Sequence, residues 1–206
     1  MTIFSRYFPH LIFLFFLLTL PLEAKPLIVL DPGHGGFAIG AHVGCIEEKK
    51  LTLETANEVQ KLLKKKGYRV VMTRTNDVFV SLGKRTKVAN QTKCNLFVSI
   101  HYNGHHNPGV NGIEVFYYKK GSKQRSARSK KAAGKVLKAL LEKTSGYSRG
   151  IKHGNFHVIR ETSMPAILVE GGFVTHVKER EQLAQETYLK RIAEAIVAGI
   201  EAYFSS

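Results

Sequence analysis

The stretch from Leu27 to Gly36 most constrains the fold of this chain. It reads Leu-Ile-Val-Leu-Asp-Pro-Gly-His-Gly-Gly, an apolar run that stops abruptly at turn-forming residues. Such a run is typical of a strand buried on both faces, and Pro32 and the glycines end it at Asp31. Ligands of open α/β sheets bind beyond the carboxyl ends of strands. His34 is therefore a candidate site residue, although a single histidine in this position, taken alone, is better explained as a solvated turn residue.

The first 24 residues have the pattern of a secretory signal peptide. Arg6 gives a positive start, Leu11–Leu20 is apolar, and Ala24 is a small residue at a cleavage point before Lys25. The apolar run is shorter than the ~20 residues of an ordinary membrane span. We predict an exported protein, in the periplasm or cell envelope, whose mature chain begins near Lys25; an uncleaved anchor is the alternative.

The folded part carries the positive charge. The whole chain has a formal net charge of +15, and removing Arg6 and Glu23 with the signal peptide leaves it unchanged. This excess predicts an anionic partner such as an envelope surface. Export and the lack of interleaved aromatic and basic residues argue against nucleic acid. Cys45 and Cys94 lack metal-type spacing, and we expect free thiols, with a disulfide as the alternative.

Strand and helix patterns alternate along residues 25–206. After the first strand, a helix is predicted from Glu47 to Lys66, then a strand over Arg69–Thr73, which together make a parallel βαβ unit. A helix over Ser81–Thr92, with Leu82 facing inward, precedes a buried strand over Asn95–His101. We predict one α/β domain with a mostly parallel mixed sheet flanked by helices on both faces.

The second half continues this alternation. We predict an edge strand over Gly112–Tyr118, a helix over Ser122–Lys143, a short strand over Phe156–Ile159, a last buried strand over Pro165–Glu170, and a helix over Glu179–Tyr203 broken near Glu186.

Ionisable residues stand at the carboxyl ends of three buried strands. They are His34 just after the first, His101 at the end of the third, and Glu170 at the end of the last, and Glu48 starts the helix after the first strand. If these strands are parallel, the four side chains meet at one edge of the sheet. Two imidazoles and a carboxylate with a place for water form a common catalytic zinc set, and the remaining carboxylate can act as a general base.

Each residue also has a purely structural explanation. Glu48 suits a helix N-terminus, and His101 could be a hydrogen-bonded strand end. Glu170 follows an apolar run, where a carboxylate needs a partner. Its structural explanation is an ion pair with Arg74, Arg85 or Arg160.

Five sequence blocks in this order resemble the zinc-dependent N-acetylmuramoyl-L-alanine amidases that trim bacterial peptidoglycan. The blocks are Leu30-Asp-Pro-Gly-His-Gly-Gly36, Glu48-Lys49, Thr73-Arg74, Ser99-Ile-His-Tyr-Asn103 and Leu168-Val-Glu-Gly-Gly-Phe173. The resemblance implies that His34, Glu48 and His101 bind Zn2+ and that Glu170 is the catalytic glutamate. It favours Glu48 over Glu47 because the family places the ligand directly before a lysine.

The resemblance also implies a substrate and partners. The substrate is peptidoglycan, cleaved at the amide between N-acetylmuramic acid and L-alanine of the stem peptide, with an activator protein as a further candidate partner. Two rival readings stay open at this point. One is a zinc peptidase acting on another amide, such as a carboxypeptidase. The other is a non-enzymatic module that holds glycan or lipid through the basic segment Lys119–Lys152.

Overall fold

A six-stranded sheet organises residues 25–206, the part of the chain that the computed structural model describes. The predicted signal peptide, residues 1–24, lies outside the described residues. The strands are β1 (Leu27–Pro32), β2 (His42–Val43), β3 (Ile46–Glu47), β4 (Arg69–Met72), β5 (Leu96–Asn103), β6 (Ile113–Tyr117), β7 (Ser148–His153) and β8 (Ala166–Phe173). The helices are α1 (Glu48–Lys65), α2 (Leu82–Thr92), α3 (Lys123–Thr144), α4 (His157–Arg160), α5 (Val177–Leu183) and α6 (Glu186–Phe204).

The sheet order is β4-β1-β5-β8-β6-β7, and β2 and β3 form a separate hairpin. Strands β4, β1, β5 and β8 run parallel, whereas β6 is antiparallel to β8 and β7 is parallel to β6. The carboxyl ends of β1, β5 and β8 therefore open on one edge of the sheet, and β6 and β7 begin at that same edge. The predicted mixed, mostly parallel sheet in a single α/β domain is confirmed.

Helices cover both faces, but unequally. The larger core packs α1, α3 and α6 against side chains such as Ile28 and Leu30 of β1. The smaller core packs α2 and α4 against the opposite face, which includes Val29. Because side chains alternate along a strand, Asp31 shares the face of Val29 and lies under the thinner cover. Within residues 25–206, no helix is long and apolar enough to cross a membrane.

Two strand predictions were wrong. Phe156–Ile159 was expected to be a strand, but Phe156 precedes the short helix α4, in which the Arg160 amide donates to the Phe156 carbonyl. A run of four residues is too short for its periodicity to separate helix from strand. The expected edge strand is also wrong, because β6 lies between β8 and β7. Strand β7, Ser-Arg-Gly-Ile-Lys-His, was missed because it is too polar to resemble a strand.

The predicted helices agree with the structure in extent, with one correction to orientation. Helix α2 begins after Ser81, whose side chain accepts a hydrogen bond from the Lys84 amide, as expected of an N-cap. Leu82, predicted to face inward, is exposed, and α2 instead buries Arg85 and Thr86. The predicted break near Glu186 is confirmed between α5 and α6.

Candidate metal centre

The sheet topology brings the predicted site residues together at one edge. His34 lies just beyond β1, His101 lies in β5, and Glu170 of β8 is its direct partner in the parallel pairing. Glu48 is the first residue of α1 and is buried. Glu47, the neighbouring alternative, instead lies beside Lys50, with 3.1 Å between carboxylate and ammonium.

Three of these side chains form a compact set of potential ligands. One ligand atom from each of His34, Glu48 and His101 lies within 4.8 Å of the others. The two carboxylate oxygens of Glu48 point to different imidazoles, with 3.0 Å to His34 Nε2 and 2.8 Å to His101 Nδ1. The backbone amides of Ala41 and Tyr102 also donate to Glu48 and fix its orientation.

The charges within this set reinforce one another. Burial by itself raises the pKa of Glu48, but the hydrogen bonds from His101 and His34 outweigh it and lower that pKa to about 2. Burial by itself lowers the pKa of His101, but its hydrogen bond with Glu48 raises that pKa overall. An ionised carboxylate between two imidazoles is a donor set that suits a divalent cation such as zinc.

Glu170 lies beside this set without a partner of its own. Its side chain is buried, and within residues 25–206 its Oε2 atom has no hydrogen-bond partner. The pKa of Glu170 is raised to about 8, chiefly by burial; His101 lowers it, and the carboxylates of Glu48 and Glu114 add to the rise. A buried carboxylate is costly unless a cation or donor compensates it, so this orphaned oxygen also fits a cation at the ligand set.

The arginines proposed as structural partners for Glu170 are occupied elsewhere. Arg85 pairs with Asp31 at 2.8 Å, and Arg160 pairs with Glu161. Arg74 donates to the carbonyls of Pro32 and Gly33. The ion-pair explanation of Glu170 is therefore wrong.

Two buried arginines hold the loop that carries His34. His34 has a left-handed backbone, with φ of 59°, which is unfavourable for a residue with a side chain. Arg85 donates to the His34 carbonyl at 2.6 Å and also to the Pro32 carbonyl. Arg74 holds the preceding turn through the Gly33 carbonyl at 2.8 Å. This support was missed from sequence, because nothing in the local pattern links α2 to the first strand.

Two glycines are required by close contacts at the site. A Cβ atom on Gly33 would lie 2.3 Å from His101 Cε1. A Cβ atom on Gly40, whose φ is +73°, would lie 2.4 Å from Glu48 Oε2 and 2.7 Å from His34 Cδ2. The loop between β1 and β2, which contains both glycines, therefore forms one wall of the ligand set.

A cleft leads from this set across the face covered by α2 and α4. A cavity of about 260 Å³ is lined by His34, His101 and Leu168, and by Phe156 near α4. Phe37, 79% exposed, stacks on Phe79 at its rim with 4.2 Å between ring centroids. Exposed aromatic pairs at a cleft are typical of binding surfaces, and sequence reasoning did not single them out.

The other predicted features lie apart from the site. Cys45 is exposed and Cys94 is buried, and both are free, so the expected pair of free thiols is confirmed and the disulfide alternative is not. His176, which follows β8, is the N-cap of α5, where its Nδ1 accepts from the Glu179 amide.

Fold and site together point to a class: an α/β domain with an imidazole–carboxylate–imidazole set beside a buried carboxylate has the side chains that a metal-dependent hydrolase requires. The family model described as N-acetylmuramoyl-L-alanine amidase matches residues 28–202 of this chain. The chain therefore belongs to the N-acetylmuramoyl-L-alanine amidase family.

Individual relatives agree with this assignment. The crystal structure of N-acetylmuramoyl-L-alanine amidase from Clostridium difficile 630 matches with a TM-score of 0.84 and 36% identity, covering 89% of this chain and 99% of that one. The CwlD amidase from Clostridioides difficile, in complex with the GerS lipoprotein, matches at 0.82 and 28% identity, covering 88% and 99%. The protein described as probable cell wall amidase LytH of Staphylococcus epidermidis is 38% identical over 90% of this chain, which spans only 60% of its length.

Proposed function

We propose that this protein is a zinc-dependent N-acetylmuramoyl-L-alanine amidase. It hydrolyses the amide between N-acetylmuramic acid and L-alanine of the stem peptide in peptidoglycan. The observation that carries the proposal is the meeting of His34, Glu48 and His101, with ligand atoms within 4.8 Å, beside the unpartnered carboxylate of Glu170. Family membership supports the choice of this amide over those cleaved by other zinc peptidases.

Each side chain has a distinct part in this reaction. His34, Glu48 and His101 hold the ion, and the amides of Ala41 and Tyr102 keep Glu48 oriented. Zinc in such a set lowers the pKa of water towards about 7 and polarises a carbonyl group.

Glu170 is the group that moves the proton. It must be ionised to accept one, and a positive charge at the ligand set favours that form. Its free Oε2 takes the proton of the attacking water and then delivers it to the leaving amide nitrogen.

Glu170→Gln tests the proposal because it keeps the shape of the side chain and removes the base. We expect the variant to bind one zinc per chain, like the wild type, but to release free stem peptide from purified peptidoglycan at least ~100-fold more slowly. Metal content is measured by elemental analysis and the product by mass spectrometry. Glu54→Gln, a change at an exposed position of α1, is the matched control.

Three outcomes would count against the proposal. Near-normal turnover by Glu170→Gln would remove Glu170 from the catalytic role. Full activity of a protein stripped of metal would remove zinc. A product cleaved within the peptide would point to the carboxypeptidase alternative.

We further propose that the protein acts outside the cytoplasmic membrane after export. Residues 1–24 are the predicted signal, and cell wall amidases among its relatives support this location. Sequencing the N-terminus of the secreted chain tests it, and a chain that retains residues 1–24 would favour the anchored alternative. Because the CwlD amidase forms a complex with a lipoprotein, we propose that this chain also binds a partner protein, and that this partner is the activator expected from the sequence resemblance.

An anionic envelope surface is the remaining proposed partner. Among the exposed cations of helix α3 are five that we name the basic face of α3: Lys123, Arg128, Lys130, Lys131 and Lys138. Such a face attracts an anionic polymer through charge and is screened by salt.

A further inference from the structure

A buried carboxylate outside the ligand set holds two cations at the same edge of the sheet. Glu114 of β6 is the direct antiparallel partner of Glu170, so the two side chains share a face. The Glu114 carboxylate accepts from Asn103 Nδ2 at 2.9 Å, from Arg149 Nε at 2.8 Å, and from Lys152 Nζ. Its side chain is only 5% exposed, whereas Arg149 and Lys152 reach solvent.

Arg149 and Lys152 together carry more positive charge than the Glu114 carboxylate neutralises. One carboxylate between two cations leaves an excess of +1. Among the described residues, Arg149 uses Nε and Nη1 for hydrogen bonds to Glu114 and Asn111, and its Nη2 has no acceptor. Within residues 25–206, the hydrogen bond to Glu114 is the only one that Lys152 donates. Donors therefore remain for an external acceptor, and an arginine fork with a nearby ammonium suits a carboxylate.

The order of the strands places this cluster at a defined distance from the bond to be cleaved. Across the sheet edge the order is His34 after β1, His101 in β5, Glu170 in β8, Glu114 in β6, and the two cations in β7. Neighbouring strands are ~4.8 Å apart, so β7 lies ~10 Å from β8. An extended peptide advances ~3.3 Å per residue, so this distance corresponds to about three residues.

We propose that Arg149 and Lys152, positioned by Glu114, form a subsite that binds a carboxylate of the substrate peptide about three residues beyond the cleaved amide. The proposal rests on the proposed function, since it assumes that the amide is cleaved beside Glu170. The peptide is the part of the substrate that fits, because a peptide ends in a carboxylate, whereas the lactyl group of the sugar is tied up in the amide to be cleaved and the N-acetyl groups carry no charge. The subsite selects acidic stem peptides and orients them away from His34.

The test compares N-acetylmuramoyl tripeptides that end in a carboxylate or in a carboxamide. We expect zinc-loaded wild type to favour the carboxylate in kcat/KM by about fivefold, mostly through KM, as for a partly exposed ion pair. With dipeptides the ratio should shrink, because the carboxylate falls ~3 Å short. Lys152→Gln should bring the tripeptide ratio close to one, and Lys152→Arg should restore it.

Lys61→Gln is the matched control, because Lys61 also pairs with a glutamate, Glu58, but lies on the exposed side of α1. It should leave the ratio unchanged. A second measurement needs no catalysis: the released tripeptide should bind metal-free wild type more tightly with its carboxylate than as the amide, and Lys152→Gln should abolish the difference.

The outcomes separate the two proposals. If wild type cleaves both tripeptides with equal kcat/KM, or if Lys152→Gln keeps the wild-type ratio, the subsite is refuted while the amidase activity stands. If zinc-loaded wild type cleaves neither tripeptide nor peptidoglycan, the proposed function fails and the subsite falls with it.

Discussion

Gly40 offers a sharp test of the ligand set because Gly44 provides a control with the same backbone. Both residues are in the left-handed region, with φ of +73° and +58°. An alanine at either position costs about 1–2 kcal/mol for that backbone alone. A Cβ atom at Gly44 meets nothing within 4 Å, whereas one at Gly40 would lie 2.4 Å from Glu48 Oε2. The difference between the two variants isolates crowding at Glu48.

The size of the effect follows from these distances. Real Cβ atoms essentially never approach another atom within 3.0 Å, so Glu48 or the loop has to move by at least ~0.6 Å. That displacement exceeds the ~0.5 Å within which a site geometry has to be held. We expect Gly40→Ala to weaken zinc binding by about 10–100-fold, as for the loss of an orienting partner of a ligand. It should also lose about 1–3 kcal/mol more stability than Gly44→Ala, from overpacking.

The assay is a competition titration of zinc against a chromophoric chelator, together with urea unfolding of the metal-free proteins. Gly44→Ala should bind zinc like the wild type. Equal zinc affinities for Gly40→Ala and Gly44→Ala would refute the placement of the ion beside Glu48, whatever their stabilities.

Three further results are expected. Arg85→Met leaves Asp31 buried without its cation and should lower the free energy of unfolding by about 3–5 kcal/mol. Arg160→Met, which breaks an exposed ion pair, should lower it by less than ~1 kcal/mol. Equal losses would contradict the stabilising role of the buried pair. In the metal-free protein the pKa of Glu170 is raised to about 8, above that of the unfolded chain. The folded state therefore holds its proton more tightly than the unfolded state. The stability that this provides is complete below about pH 4.5 and is lost as the pH rises through 8. Glu170→Gln should therefore gain stability relative to wild type over that range, by at most ~5 kcal/mol in urea unfolding, and a difference independent of pH would refute the burial argument. Binding to purified cell walls should weaken as NaCl rises from ~0.05 to ~0.5 M. This salt dependence should be smaller when the lysines of the basic face of α3 are replaced by glutamine. Binding that does not change with salt would exclude that face as the binding surface.

The meeting of His34, His101 and Glu170 was predictable from sequence because it depends only on where buried strands end. Apolar runs that stop at glycine or proline mark those ends, and parallel pairing brings them to one edge. Glu48 needed the family pattern in addition, since its neighbour Glu47 has the same local character. In the structure the two glutamates differ in their partners, because the Glu47 carboxylate pairs with Lys50 whereas Glu48 contacts the imidazoles.

The supporting contacts were not predictable for a physical reason. Arg85 lies on a helix whose apolar pattern favoured Leu82 as the inward residue, yet a buried charge partner, Asp31, outweighed that preference. The partners are 54 residues apart, so no local pattern connects them. The cations held by Glu114 were missed similarly, because they belong to a strand that is too polar to identify from its own sequence.

The hydrogen bonds around the His34 loop keep it ordered, and this affects how fast its amide hydrogens exchange. Besides the two arginines, Asp77 accepts from the Gly36 amide and Lys49 donates to the Gly36 carbonyl, so the loop is tied on both sides. Its conformational entropy is lost once, when the chain folds. Capture of an ion then requires no further ordering of this segment, and its amides should exchange hydrogen equally slowly before and after loading.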